Sequence, residues 1–436
     1  MKSSRRDFLR LAGAAGLLSQ VDPFASRLLA AAPGYGLDVP PEPQDGGKPA
    51  LLVIFLRGAA DALNMIVPIG DPDYEAARPT LAMAQADGLL PLDKTFALHP
   101  AMGALMPQWE AGNFAPIVNA GSPHPTRSHF DAQDWMEFGA PGNRTLRDGW
   151  LNRYLAVTKP KKDNASEFRA LGMQELLPRS LRGSYPVLAV PTSLGKRKTD
   201  KTLDRFEQFY GDGDPMMEGG MGGRREEDAS GVVESGRITI ETLRRFGEIV
   251  AAGEKKRGQK QTTVSGSSYP DSRFGNRLKQ IGLVMRADEG LEIAGIDYGG
   301  WDDHTREGSV EGNMANRMTD FARSLGAFCQ DLGPRLQNTT ILVMSEFGRT
   351  VRENGNNGTD HGHGGNMLVI GGGVKGGKVH GDWTGLKEND LYQGRDLAVT
   401  TDFRDVYHAV LANTFGFEAP KEFFPGYKPN KLKGLY

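Results

Sequence analysis

Residues Leu51–Leu56 are an unbroken apolar run that ends at Arg57-Gly58. No polar residue alternates through it, so both faces of the segment need covering. A strand of that kind belongs inside a parallel sheet with helices on each side. Four later runs repeat the pattern: Phe114–Asn119, Leu291–Ile296, Thr340–Met344 and Met367–Ile370. Helical spacing fills the intervals. It is clearest at Met314–Leu332, where Met314, Met318, Phe321, Leu325 and Phe328 share one stripe. A further helix is expected at Asp405–Asn413. Strands alternating with helices predict an α/β fold, a mostly parallel central sheet with helices on both faces. In such sheets the polar residues that follow the strands gather along the carboxyl edge.

Composition removes several classes of function. The chain has 436 residues, 39% hydrophobic and 24% charged, enough for a large core. Its single cysteine, Cys329, excludes an internal disulfide framework and a zinc site built on several thiolates. A net charge of −2 supplies no basic field for nucleic acid. No apolar run reaches the ~18 residues of a membrane-spanning helix, so no stable span is expected.

Ser4-Arg5-Arg6-Asp7-Phe8-Leu9-Arg10, followed by the mildly apolar Leu11–Leu18, has the pattern of a twin-arginine export signal. Residues 1–32 read as that signal, with Leu28–Ala32 offering small residues for cleavage, and residues 33–49 as a Pro/Gly-rich linker. The expected destination is the periplasm or the exterior, and the expected first partner is the twin-arginine translocase. Lys2, Arg5, Arg6, Arg10 and Arg27 against Asp7 and Asp22 give the signal a net +3, which leaves −5 for the rest of the chain. This route carries folded proteins, often with a cofactor already inserted, so a metal site is a natural expectation. Residues 50–436 then form one α/β domain with a flexible insertion around 211–268, where Gly211–Gly231 and Gly253–Ser268 flank a short helix near Ile238–Val250.

The chemistry-bearing residues fall in two groups. Asp302-Asp303-His304 and Thr359-Asp360-His361-Gly362-His363-Gly364 combine carboxylates with imidazoles, a set that suits zinc, manganese or iron. Loop Asp–His hydrogen bonds produce the same pattern without a metal. The other group is Thr126-Arg127-Ser128-His129-Phe130-Asp131. Ser128 is either an activated nucleophile or the N-cap of a helix starting near His129, with Asp131 in its first turn. The Arg127 guanidinium suits a tetrahedral anion such as phosphate or sulfate. A Gly-x-Ser-x-Gly elbow is missing, which disfavours an ordinary serine hydrolase. Gly371–Gly377 lacks the Lys-Ser/Thr of a phosphate loop and reads as a tight turn. His99 reads as a loop or cap residue, and His408 as structural or superficial.

Six segments follow one another in order: the signal, Phe55-Leu56-Arg57-Gly58-Ala59-Ala60-Asp61, Arg127-Ser128-His129-Phe130-Asp131-Ala132-Gln133, Gly299-Gly300-Trp301-Asp302-Asp303-His304, Ser345-Glu346-Phe347-Gly348-Arg349-Thr350 and Gly358-Thr359-Asp360-His361-Gly362. This series resembles the bacterial "domain of unknown function 1501" family over nearly all of residues 50–430. That family is similar to the alkaline phosphatase and sulfatase superfamily. The resemblance implies an alkaline phosphatase-like sandwich, metals bound past the strand ends, and hydrolysis of phosphate or sulfate esters, on small molecules or a polymer. The implied cofactor is a divalent metal: zinc, manganese or calcium. Asp61 matches the aspartate after the first strand, and Ser128 the alkoxide nucleophile. Asp302 and His304 match the ligands of one metal, and His361 or His363 the late histidine. Glu346 and Asp360 complete the expected metal set, and Arg127 or Arg349 would stabilise charge on the anion.

There is one departure. Where many superfamily members carry Ser-Asp-His-Gly, this chain has Ser345-Glu346-Phe347-Gly348, and phenylalanine cannot bind a metal. The centre then holds one metal, is rebuilt with Glu346 and His129, or is idle. Two functions follow: an exported metal-dependent hydrolase, or a non-catalytic exported protein of the same fold, with a structural metal, that binds an envelope or polymer partner.

Overall fold

A computed structural model describes residues 47–160, 168–190, 242–255 and 268–436. The expected signal, the linker up to residue 46 and most of the expected insertion lie outside the described residues. Of the helix expected near Ile238–Val250, residues 242–255 are helical.

Eight strands build the main sheet: β1 (Ala50–Arg57), β2 (Phe114–Gly121), β3 (Ala170–Gly172), β4 (Leu188–Ala189), β5 (Ile293–Gly299), β6 (Thr339–Ser345), β7 (Gly365–Gly371) and β8 (Thr401–Asp402). Their order across the sheet is β8-β2-β7-β6-β1-β5-β3-β4. β1 lies in the middle, parallel to β5 with Leu51 beside Ile293, and parallel to β6 with Ala50 beside Thr339. Its side chains divide as its composition requires. Leu52, Ile54 and Leu56 enter one core with α3 (Arg273–Ala287) and α4 (Asn313–Leu332). Leu51, Val53 and Phe55 enter the other with α2 (Trp150–Val157) and α5 (Phe403–Phe415). The α4 stripe of Met314, Met318, Phe321, Leu325 and Phe328 is buried throughout. The fold is therefore α/β, with a large, mostly parallel sheet covered by helices on both faces. No helix among the described residues is long and apolar enough to cross a membrane.

One strand is reversed. β7 pairs antiparallel with both β2 and β6. The connection from β6 to β7, residues 346–364, therefore starts and finishes at the same edge of the sheet. This puts Asp360, His361 and His363 ahead of their strand and still at the carboxyl ends of β1, β5 and β6. The Gly371–Gly377 turn leaves from the opposite edge, where Gly371, Gly372 and Gly373 all take positive φ.

A small three-stranded sheet, Ile66–Val67, Leu90–Pro91 and Ala97–Leu98, ends at His99. His99 is fully buried and caps the next helical turn. Its Nδ1 accepts from the Ala101 N–H (3.0 Å), and its Nε2–H donates to the Ser309 carbonyl (2.9 Å). Burial holds this imidazole below the usual histidine range. A group whose pKa falls on folding stabilises fully above its unfolded value, about 6.5, and loses that contribution as pH drops through the folded value. Wild type should therefore lose more stability than His99→Asn as pH falls below about 6.5, since asparagine keeps an accepting oxygen without titrating. Tm against pH for the two proteins checks this; parallel curves would refute it.

Candidate metal centre

Five chain segments meet at the carboxyl edge of the sheet. Gly58, at the end of β1, has φ +116, and a Cβ there would lie 2.7 Å from Asp302 N and 2.9 Å from Trp301 N. Only glycine lets β1 pass so close under the loop that follows β5. The Gly58 N–H donates to Glu346 Oε1 (2.9 Å), which ties β1 to the end of β6. The loop after β2 leads into α1 (His129–Phe138). Ser128 is the N-cap of α1 by backbone position, and Asp131 is in the first turn. The Ser128 hydroxyl makes no capping hydrogen bond, however, and the residue is exposed.

His129, Asp302 and His361 offer ligand atoms all within 4.8 Å of one another, and they are the one such group among the described residues. His304 joins them, with Nε2 3.0 Å from Asp302 Oδ1 and 2.9 Å from His361 Nε2. His361 Nε2 is 3.2 Å from Asp302 Oδ1, and His129 Nε2 is 3.3 Å from Asp302 Oδ2.

The outer nitrogen of each ring is already committed to an oxygen. His129 Nδ1 meets Glu346 Oε1 at 2.8 Å, His304 Nδ1 meets Asp360 Oδ1 at 3.0 Å, and His361 Nδ1 meets the Arg127 carbonyl at 2.8 Å. A carbonyl or ionised carboxylate only accepts, so each Nδ1 donates, and in a neutral ring Nε2 is left as the acceptor. Three ring nitrogens and the Asp302 carboxylate face one another there. His129 Nε2 is buried and makes no hydrogen bond. A cation between His129 Nε2, Asp302 and His361 Nε2 would satisfy these donors at once, so these three residues fit a divalent metal, with His304 beside them.

The surrounding charges hold this arrangement. Burial opposes the charge on Glu346, but hydrogen bonds from His129 and Gln133 keep its carboxyl below the usual range. That bond to Glu346 also raises His129, against its own burial. Asp302 is likewise held low despite desolvation, by the bond and charge of Arg349. Burial, followed by the neighbouring charge of His129, lowers His361. Beneath the rings lies Phe347, buried with Ala59 and Ala132. It stacks on His129 at 5.0 Å between centroids and lies 5.2 Å from the His361 ring. The phenylalanine that departs from the superfamily pattern is the apolar floor of the site.

The residues expected from the sequence divide. Asp302, His304 and His361 come together with His129. Glu346 and Asp360 stand behind His129 and His304 and orient them. Asp61 is not in the cluster: it is buried, it caps the short helix Ala62–Met65, and Arg78 binds both of its oxygens. His363 is also outside, stacked on Tyr392 at 4.0 Å, and burial followed by the charge of Arg127 lowers it to about 4. Neither expected anion-binding arginine is free. Arg127 is bound by Asp396 and Gln393, and Arg349 by Asp302 and Thr359. His129, which the sequence offered as the partner of Glu346 in a rebuilt centre, completes the group. His129 and Gln133, one helical turn apart, both bond Glu346.

Comparison with known families gives one match: the family described as "Protein of unknown function (DUF1501)" matches residues 48–422. No curated protein matches the chain.

Proposed function

The chain belongs to the DUF1501 family, and from that premise we propose that it is an exported, metal-dependent hydrolase of phosphate or sulfate esters with an alkaline phosphatase-like fold. The observation that carries the reading is the convergence of His129, Asp302 and His361, whose ligand atoms lie within 4.8 Å of one another, with Nδ1 of each ring anchored to an oxygen. Two imidazoles and one carboxylate favour zinc or manganese over calcium, which prefers a shell of oxygens. When bound, such an ion supplies Lewis acidity and a bound water of lowered pKa.

The chain's own residues supply the rest. Glu346, Arg349 and the Arg127 carbonyl fix His129, Asp302 and His361, and Asp360 fixes the neighbouring His304. The first-turn amides of α1 lie beside His129 and suit negative charge on an ester oxygen. Ser128 is next to a ligand in the chain, and its hydroxyl is not used in capping. Openness favours catalysis over a structural metal. The side chains of Asp302 and His304 are 42% and 41% exposed, and three protein ligands leave a position open, whereas structural sites are closed by four. The three-layer architecture, with the centre at one strand edge, supports the superfamily reading. The Arg5-Arg6 pattern supports export.

The test is a panel of aryl phosphate monoesters, phosphodiesters and aryl sulfates, each with zinc, manganese and calcium. Turnover is expected with zinc or manganese. Ser128→Ala should abolish it while leaving metal content unchanged and Tm within a degree or so, because no capping bond, typically worth ~1 kcal/mol, is lost. A metal-loaded wild type inert on the whole panel would favour the non-catalytic reading.

A further inference from the structure

Behind Asp302 a chain of buried side chains runs inward from the metal centre. Arg349 donates from Nη1 to Asp302 Oδ1 (2.9 Å) and from Nε to the Thr359 hydroxyl (3.1 Å). The Thr359 hydroxyl donates in turn to Glu307 Oε2 (2.7 Å). Glu307 is fully buried and hydrogen-bonds Asp61, whose carboxylate is held by Arg78. Asn64 Nδ2 reaches Glu307 Oε1 at 3.4 Å. Arg349, Thr359 and Arg78 are buried as well.

Charge accounting gives Glu307 its form. Asp61 is paired with Arg78 and Asp302 with Arg349, and Glu307 forms no ion pair among the described residues. An ionised Glu307 would place an uncompensated charge against Asp61 in a dry interior, which is costly. As a carboxylic acid it donates one proton to Asp61 and still accepts from Thr359, so the carboxyl groups of Asp61 and Glu307 and the Thr359 hydroxyl are all partnered. We propose that Glu307, as an uncharged acid bridging Asp61 and Thr359, is a positioning residue that sets the Asp302 carboxylate through Thr359 and Arg349. Desolvation and the adjacent Asp61 raise its carboxyl well above the ordinary range, in keeping with that form. The inference rests on the metal-centre reading above and gives Asp61 a place in the site as the acceptor that fixes the far end of the chain.

The experiment uses the full chain and cobalt(II) alone as probe, read by its dissociation constant and visible absorption spectrum, with Tm measured in parallel. Thr359→Val keeps the shape of the side chain and removes the link. It should weaken cobalt binding by about 10–100-fold and alter the spectrum, and Thr359→Ser should restore both. Glu307→Gln, whose amide donates to Asp61 and whose oxygen accepts from Thr359, should bind cobalt as wild type does. Glu307→Leu should reproduce the Thr359→Val loss. Wild-type cobalt affinity and spectrum in Thr359→Val would overturn the proposal. So would Glu307→Gln behaving like Glu307→Leu, because the acid would then have to be ionised. A wild type that takes up no cobalt removes the metal centre itself, a failure visible before any variant is made.

Discussion

Chains carrying Asp302→Ala together with His361→Ala should be isolated without stoichiometric metal, whereas wild type retains one zinc or manganese per chain. Asp302 has ligand-distance contacts with all three imidazoles. Removing it with one ring leaves two imidazoles that no longer share a carboxylate. The stability consequence follows from mass action. An ion present at a hundred times its dissociation constant stabilises the folded state by ~2.7 kcal/mol, so added zinc should raise the Tm of wild type and leave the double variant unmoved. Elemental analysis of protein purified without chelator, with Tm measured with and without the ion, checks both statements. Wild type free of metal under those conditions would end the metal reading.

The second large effect lies behind the site. Arg78→Leu should cost ~3–5 kcal/mol in urea unfolding, the usual penalty for stranding one member of a buried ion pair. Arg78 is fully buried, holds both oxygens of Asp61, and donates from Nε to the Val351 carbonyl (2.9 Å) and from Nη2 to the Thr350 carbonyl (2.9 Å). The change distinguishes two roles for Asp61. If Asp61 ligated the metal, as the superfamily resemblance implies, freeing it from Arg78 would leave metal affinity intact or improve it. As half of a buried pair it gives a loss of stability, with the candidate centre at His129, Asp302 and His361 untouched. A Tm equal to wild type would contradict the buried-pair account.

Much of the architecture was legible because burial leaves a direct trace in residue type. Leu51–Leu56 must be covered on both faces, and it is the middle of the sheet. The α4 stripe carries its period openly. The direction of β7 left no such trace, since Met367–Ile370 is equally apolar read from either end. The short β3 and β4 gave no pattern long enough to detect. At the site, the sequence pointed to segments that the fold brings together, without showing how the roles divide among their positions. A carboxylate or imidazole that touches the metal and one that orients its neighbour are the same residue types. Which role each takes depends on which nitrogen faces an acceptor, and that is decided by the fold. Glu346 therefore became the anchor of His129, and the two arginines expected to grip an anion are paired with Asp302 and Asp396.

The central position of β1 also governs the order in which the chain can fold. β1 is the first strand of the sheet to leave the ribosome, and its two partners are among the last, with Leu51 waiting for Ile293 and Ala50 for Thr339. At about 5–20 residues per second, the ribosome reaches Ile293 roughly 10–50 s after Leu51. During that interval an apolar segment with two open edges is exposed, the kind of template that recruits other unfinished chains. Yield of native protein should therefore respond to the rate of translation and to holdase chaperones acting near the N-terminus, even in variants whose final stability is unchanged.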